Sequence, residues 1–159
     1  MFEERFSNWS VWSKRNELAG VRYPGIYVCA IGLGIEHGEP FSWRNEVVYI
    51  GMTNSKAGLK GRLQQFDRTW VGAPKHGGAD RVRYKHQDYD ALLKQLFVAV
   101  ASFECSVTSN EPGDLRVMGE VAKFEYECMA RFVEEHGELP EFNNKKASPK
   151  YSLTVARGS

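Results

Sequence analysis

Apolar residues fall along this chain in two kinds of pattern. Ile26–Ile35 (IYVCAIGLGI) and Glu46–Thr53 (EVVYIGMT) are rich in β-branched and aromatic residues, and they predict two strands. Pro24-Gly25 opens the first, and a polar connection over 36–45 joins the two as an antiparallel hairpin. Leu96–Cys105 (LFVAVASFEC) has no polar residue before Ser102, which suits a central strand covered on both faces, although a helix fits the run as well. Helical spacing recurs in three places. Trp9, Trp12 and Leu18 predict a short helix over 8–19, closed by Gly20. Leu59, Leu63 and Phe66 predict another over 57–66. Val117, Val121, Phe124, Cys128, Met129, Phe132 and Val133 predict the longest, over 114–135, ended by Gly137 and Pro140. Residues 89–95 are a further short helical candidate. The order helix, strand, strand, helix, strand, helix implies an α+β or α/β sandwich with a small sheet.

With 159 residues the chain has room for one domain with a real core. Its three cysteines, Cys29, Cys105 and Cys128, are odd in number and widely spaced, so they form neither a disulfide framework nor a zinc knuckle. Buried free thiols and a reducing, cytoplasmic setting are expected. The first ten residues lack the basic-then-apolar pattern of a signal peptide. Apolar runs such as Leu96–Ala101 fall far short of the ~20 residues a membrane helix needs, so no membrane partner is expected.

Charge adds a different kind of information. The net charge is +1, but it is a cancellation. Between Asn54 and His86 eight basic residues (Lys56, Lys60, Arg62, Arg68, Lys75, Arg81, Arg83 and Lys85) face two acidic ones, for +6. Between Glu111 and Glu141 nine acidic residues face three basic, for −6. The basic stretch also holds Trp70, Tyr84 and Gly77-Gly78, which suits phosphate contacts with aromatic support and equally suits a solvated loop.

One carboxylate stands out. Glu125 lies within the apolar stripe of the long helix, with Phe124, Cys128, Met129 and Phe132 around it, so it is expected to point toward the protein body. A carboxylate there is costly unless it is paired or binds a cation. Arg62 is the candidate ion-pair partner, and metal binding is the alternative. Glu127, two residues on, reads as solvated.

Gly25-Ile26-Tyr27 and Tyr49-Ile50-Gly51 match the two halves of the GIY-YIG nuclease signature. An Arg on the next helix (Arg62), a Glu on a later helix (Glu125) and an aromatic-Asn pair (Phe142-Asn143) follow in that family's order. The chain resembles the GIY-YIG nuclease superfamily over about residues 22–145, with an N-terminal helical extension over 1–21 and a tail over 146–159.

The resemblance implies a small three-stranded antiparallel sheet flanked by helices and metal-dependent hydrolysis of DNA phosphodiester bonds. It implies Mg²⁺ or Mn²⁺ held by Glu125, and Tyr27 as general base or water-orienting group. Tyr49 would bind the phosphate or share the base role, Arg62 would clamp the phosphate, and Asn143 would steady the site. Gly25 and Gly51 would be structural, Gly51 permitting close approach of backbone or DNA. Lys56, Lys60, Arg68, Lys75, Arg81 and Arg83 would contact DNA. Several members carry His or Tyr one turn after the Arg, where this chain has Phe66. His76 or Lys60 is the candidate substitute. The stretched EEHGELP segment leaves Asn143 and Asn144 as alternatives for the Asn role. Sequence specificity would come from loops of this one domain or from a dimer partner. A DNA-binding module of little or no catalytic power is the competing reading.

Overall fold

The computed structural model describes residues 2–69, 79, 81, 82, 85, 86 and 88–144. The architecture is α+β: a four-stranded, wholly antiparallel sheet with helices on both faces. The strands are β1 (Ser10–Val11), β2 (Gly25–Ile31), β3 (Val47–Thr53) and β4 (Leu96–Ser102), in the spatial order β1-β4-β2-β3. The helices are α1 (Gly58–Thr69), α2 (Tyr89–Leu93) and α3 (Pro112–His136). Among the described residues, no helix is long and apolar enough to cross a membrane.

β2 and β4 are the central strands, and their alternate side chains feed two separate cores. Ile26, Val28, Ala30, Phe97, Ala99 and Ala101 join one core with Val121, Cys128 and Phe132 of α3. Tyr27, Cys29, Leu96, Val98 and Val100 join the other with Leu59, Leu63 and Phe66 of α1. Burial on both faces explains the continuous apolar runs of these two strands. A register shift between Cys29 and Ala30 leaves Val48 of β3 without a direct partner, so that Val47 and Tyr49 pair with Ala30 and Cys29 respectively. The extra residue puts Val47 on the α3 face although Tyr49, two residues on, faces α1.

Two expectations change. The α-helix over 8–19 is not formed: β1 is followed by a 3₁₀ turn over Trp12–Glu17. The sheet accordingly has four strands rather than three, because Ser10 and Val11 pair with Val98 and Phe97. The spacing of Trp9 and Trp12 mimicked a helix face, yet the two indoles go to opposite cores, Trp9 toward α3 and Trp12 toward α1. Helix α3 starts at its N-terminal proline and stops at Gly137, which adopts φ 82° in the left-handed region.

Candidate active site

Tyr27 and Tyr49 lie on neighbouring strands, two residues apart in register, and both rings face α1. Their centroids are 6.0 Å apart, and each phenol acts on the electrostatics of the other. Room for Tyr27 comes from Gly51, its direct cross-strand partner. A Cβ at position 51 would lie 2.4 Å from both Cζ and the phenolic oxygen of Tyr27. Gly51 therefore clears space for a tyrosine rather than for backbone or DNA. Gly25 does serve backbone approach: a Cβ there would be 2.1 Å from the Ala101 carbonyl oxygen of β4.

Arg62 rises from the first half of α1 and acts on three groups at once. Its charge is felt by Tyr27, Tyr49 and Glu125. Gln65, one turn on, accepts from Arg62 Nη1 at 2.9 Å. Among the described residues, Arg62 Nε is buried with no hydrogen-bond partner. Gln65 was not anticipated, although an Arg and a Gln three residues apart on a helix are natural neighbours.

Glu125 projects from α3 and is half-buried. It makes no hydrogen bond and no ion pair within 4.0 Å among the described residues, so the direct pairing with Arg62 is not formed. Burial raises its carboxyl above the usual range, and Arg62 only partly opposes this. Glu127 is exposed, as expected, and accepts from Arg131 Nε at 3.2 Å.

The two phenols are not activated. Burial pushes Tyr27 well above the ordinary tyrosine value, with Tyr49 adding to the rise and Arg62 opposing it. Burial raises Tyr49 too, and there Arg62 opposes while Glu125 adds. Tyr27 is fully buried and Tyr49 is partly exposed. Tyr49 is thus the phenol with a solvent face.

Asn143 fixes the strand that carries Tyr49 and Gly51. Its Oδ1 accepts from the Ile50 amide at 2.8 Å, and its Nδ2 donates to the Ile50 carbonyl at 2.8 Å. A carboxamide presents one donor and one acceptor, like a peptide group, so this side chain pairs with edge strand β3 as a further strand would. Asn143, not Asn144, makes this contact. It holds the strand and touches neither phenol, which makes it a positioning residue.

Phe66 is fully buried, with its ring 5.3 Å from Trp12 and 6.2 Å from Tyr49. The 3₁₀ turn, α1 and α2 meet at Asp67. Its Oδ1 accepts from Trp12 Nε1 at 2.9 Å and from the Tyr89 hydroxyl at 2.7 Å, and Arg15 lies 3.7 Å from its Oδ2. No sequence motif marked this contact. At the far end of β3, Asn54 donates to the Met118 carbonyl at 3.0 Å, tying the strand to α3.

The basic candidates divide. Lys60 and Arg68 are exposed, eight residues apart on one side of α1, and Lys56, also exposed, precedes the helix. Lys60 and Arg62 leave the helix about 160° apart. Arg81 is buried at 8% exposure with Nε unpartnered, so it is not the surface cation expected from its charge. Lys85 pairs with Glu141 at 2.6 Å. Lys75, His76 and Arg83 lie outside the described residues, as does the tail over 146–159.

Among the described residues no three His, Cys, Asp or Glu side chains gather into a metal-ligand group. That donor set does not suit zinc, which takes three or four protein ligands. It does suit Mg²⁺ or Mn²⁺ held by one carboxylate, water and a substrate phosphate. Glu125, half-buried and without an ion pair among the described residues, is a fitting donor for such an ion. No family model, no curated protein and no solved structure matches the chain.

Proposed function

We propose that this chain is a metal-dependent endonuclease of the GIY-YIG kind, with the fold and phosphodiester-hydrolysing chemistry of that family. The observation that carries the reading is the meeting of Tyr27, Tyr49, Arg62 and Glu125, brought from β2, β3, α1 and α3 to one edge of the sheet. A core built for stability alone has no need of two phenols, a guanidinium and an unpaired carboxylate in one place.

In this reading Glu125 holds Mg²⁺ or Mn²⁺. When bound, the ion supplies a Lewis acid that stabilises charge on the departing oxygen. Arg62 binds a non-bridging phosphate oxygen, and Gln65 keeps the guanidinium aimed. Tyr49 orients the attacking water, because it is the phenol that solvent reaches. Tyr27, wholly enclosed, packs against Tyr49 beside the Arg62 charge rather than meeting water itself. Asn143 keeps β3 and Tyr49 in register. Lys56, Lys60 and Arg68 offer phosphate contacts outside the site.

Cleavage of supercoiled plasmid with Mg²⁺ or Mn²⁺, run beside Glu125→Ala, tests this. The wild type should nick or linearise the plasmid, and the variant should lose about 10²-fold or more of the rate while still binding DNA. Equal cutting by both proteins removes Glu125 from the site.

The second reading is a DNA-binding module without catalysis. It is favoured by Phe66, which fills with hydrocarbon the position expected to carry acid–base chemistry, and by the enclosure of Tyr27. Binding without cutting, with either metal, would establish it.

A further inference from the structure

Three of the large apolar side chains exposed among the described residues share one line of α3: Leu115 at 50%, Tyr126 at 72% and Val133 at 37%. Their separations of eleven and seven residues close nearly whole turns of an α-helix. Gly119 and Ala122 fall on the same line, and Met129, which packs partly against the first core, borders it. The row points away from Val121, Cys128 and Phe132, which face the sheet. A contiguous apolar row of this length on a 25-residue helix marks an interaction surface.

The order of side chains along the row says what fits it. Antiparallel pairing with a second α3, about a two-fold axis near residues 124–125, sets large against small. Tyr126 meets the partner's Ala122, Met129 meets the partner's Gly119, and Leu115 meets the partner's Val133. The charges beside the row follow the same symmetry. Arg116 and Lys123 flank it in the N-terminal half, and Glu127 and Glu134 flank it on the same side in the C-terminal half. The two-fold axis brings Arg116 to the partner's Glu134 and Lys123 to the partner's Glu127. All four are exposed, and Arg116, Lys123 and Glu134 make no ion pair among the described residues. Parallel pairing would instead carry these four charges to opposite sides of the seam, where they could not pair with one another.

We propose that the outer face of α3 is a homodimer interface, occupied by α3 of a second copy of this chain in antiparallel orientation. Self-pairing is independent of any cleavage activity, and its test reads mass alone. Sedimentation equilibrium of the full chain over a concentration series should give twice the chain mass. Tyr126→Glu should raise the dimer dissociation constant about thirtyfold or more, since a central Tyr is a typical interface anchor. Its circular dichroism and melting temperature at monomeric concentrations should match those of the wild type. Arg116→Glu should weaken the dimer several-fold, and adding Glu134→Arg to it should restore the wild-type constant. A monomer at every concentration overturns the proposal. So does a dimer that Tyr126→Glu leaves intact, or a charge swap that fails to restore pairing.

Discussion

The two faces of the sheet are supplied by the same alternating strands, yet they are different kinds of interior. On the α3 side, Ile26, Val28, Ala30, Ala99 and Ala101 meet Val121 and Phe132, and Phe6, Trp9, Phe41 and Trp43 pack ring against ring. On the α1 side, Leu59, Leu63 and Phe66 enclose two phenols beside a guanidinium that Gln65 holds. Apolar burial stabilises without regard to direction, whereas buried polar groups are tolerated only in arrangements that pair them. The α3 side can thus hold the sheet, and the α1 side can hold a geometry. Glu125 is the point where the α3 helix reaches past the β3 edge into the second environment.

The largest expected effects compare the faces directly. Phe6→Ala and Phe66→Ala should each cost about 3–5 kcal/mol in urea unfolding. Phe66→Ala should also lower plasmid cleavage per folded molecule, because it removes a wall of Tyr49, and Phe6→Ala should not. Equal loss per folded molecule would erase the distinction between the faces.

Gly51→Ala comes next, at about 1–3 kcal/mol, since its Cβ collides with the Tyr27 ring. A wild-type melting temperature for this variant would show that Tyr27 is not held as described. Asn143→Ala should cost about 1–2 kcal/mol, because edge strand β3 loses two hydrogen bonds that water only partly replaces. Faster amide exchange at Ile50 should accompany it, and unchanged exchange would remove the clamp.

The smallest effect carries a sign. The Glu125 carboxyl is raised in the folded protein, so below its unfolded value both states are protonated and it costs nothing. Its cost develops as pH rises from the unfolded value to the folded one and is complete above it. Metal-free Glu125→Gln should therefore gain stability over the wild type as pH goes from about 4 to about 7. Added Mg²⁺ should stabilise the wild type alone. A stability difference that does not vary with pH would mean that Glu125 is not desolvated.

Residues whose environment is local in sequence were the legible ones. β2, β4 and α3 follow from their own apolar patterns, and the inward lean of Glu125 follows from its helical neighbours. The N-terminal segment misled because helical spacing and a sheet-edge crossing both put tryptophans three residues apart. Arg81 shows that a charge in the sequence carries no statement of burial. The Asp67 meeting point joins residues 22 to 55 positions apart, and Asn143 reaches back 93, so neither contact leaves a local trace.

The Asn143 clamp also has a consequence for the order of events during synthesis. β3 and both tyrosines leave the ribosome long before residue 143. Through that interval the outer edge of β3 lacks this partner and can pair with another nascent chain. The site becomes complete only when almost the whole described chain is present. Chains released short of Asn143 should therefore accumulate as aggregates rather than as a weakened enzyme.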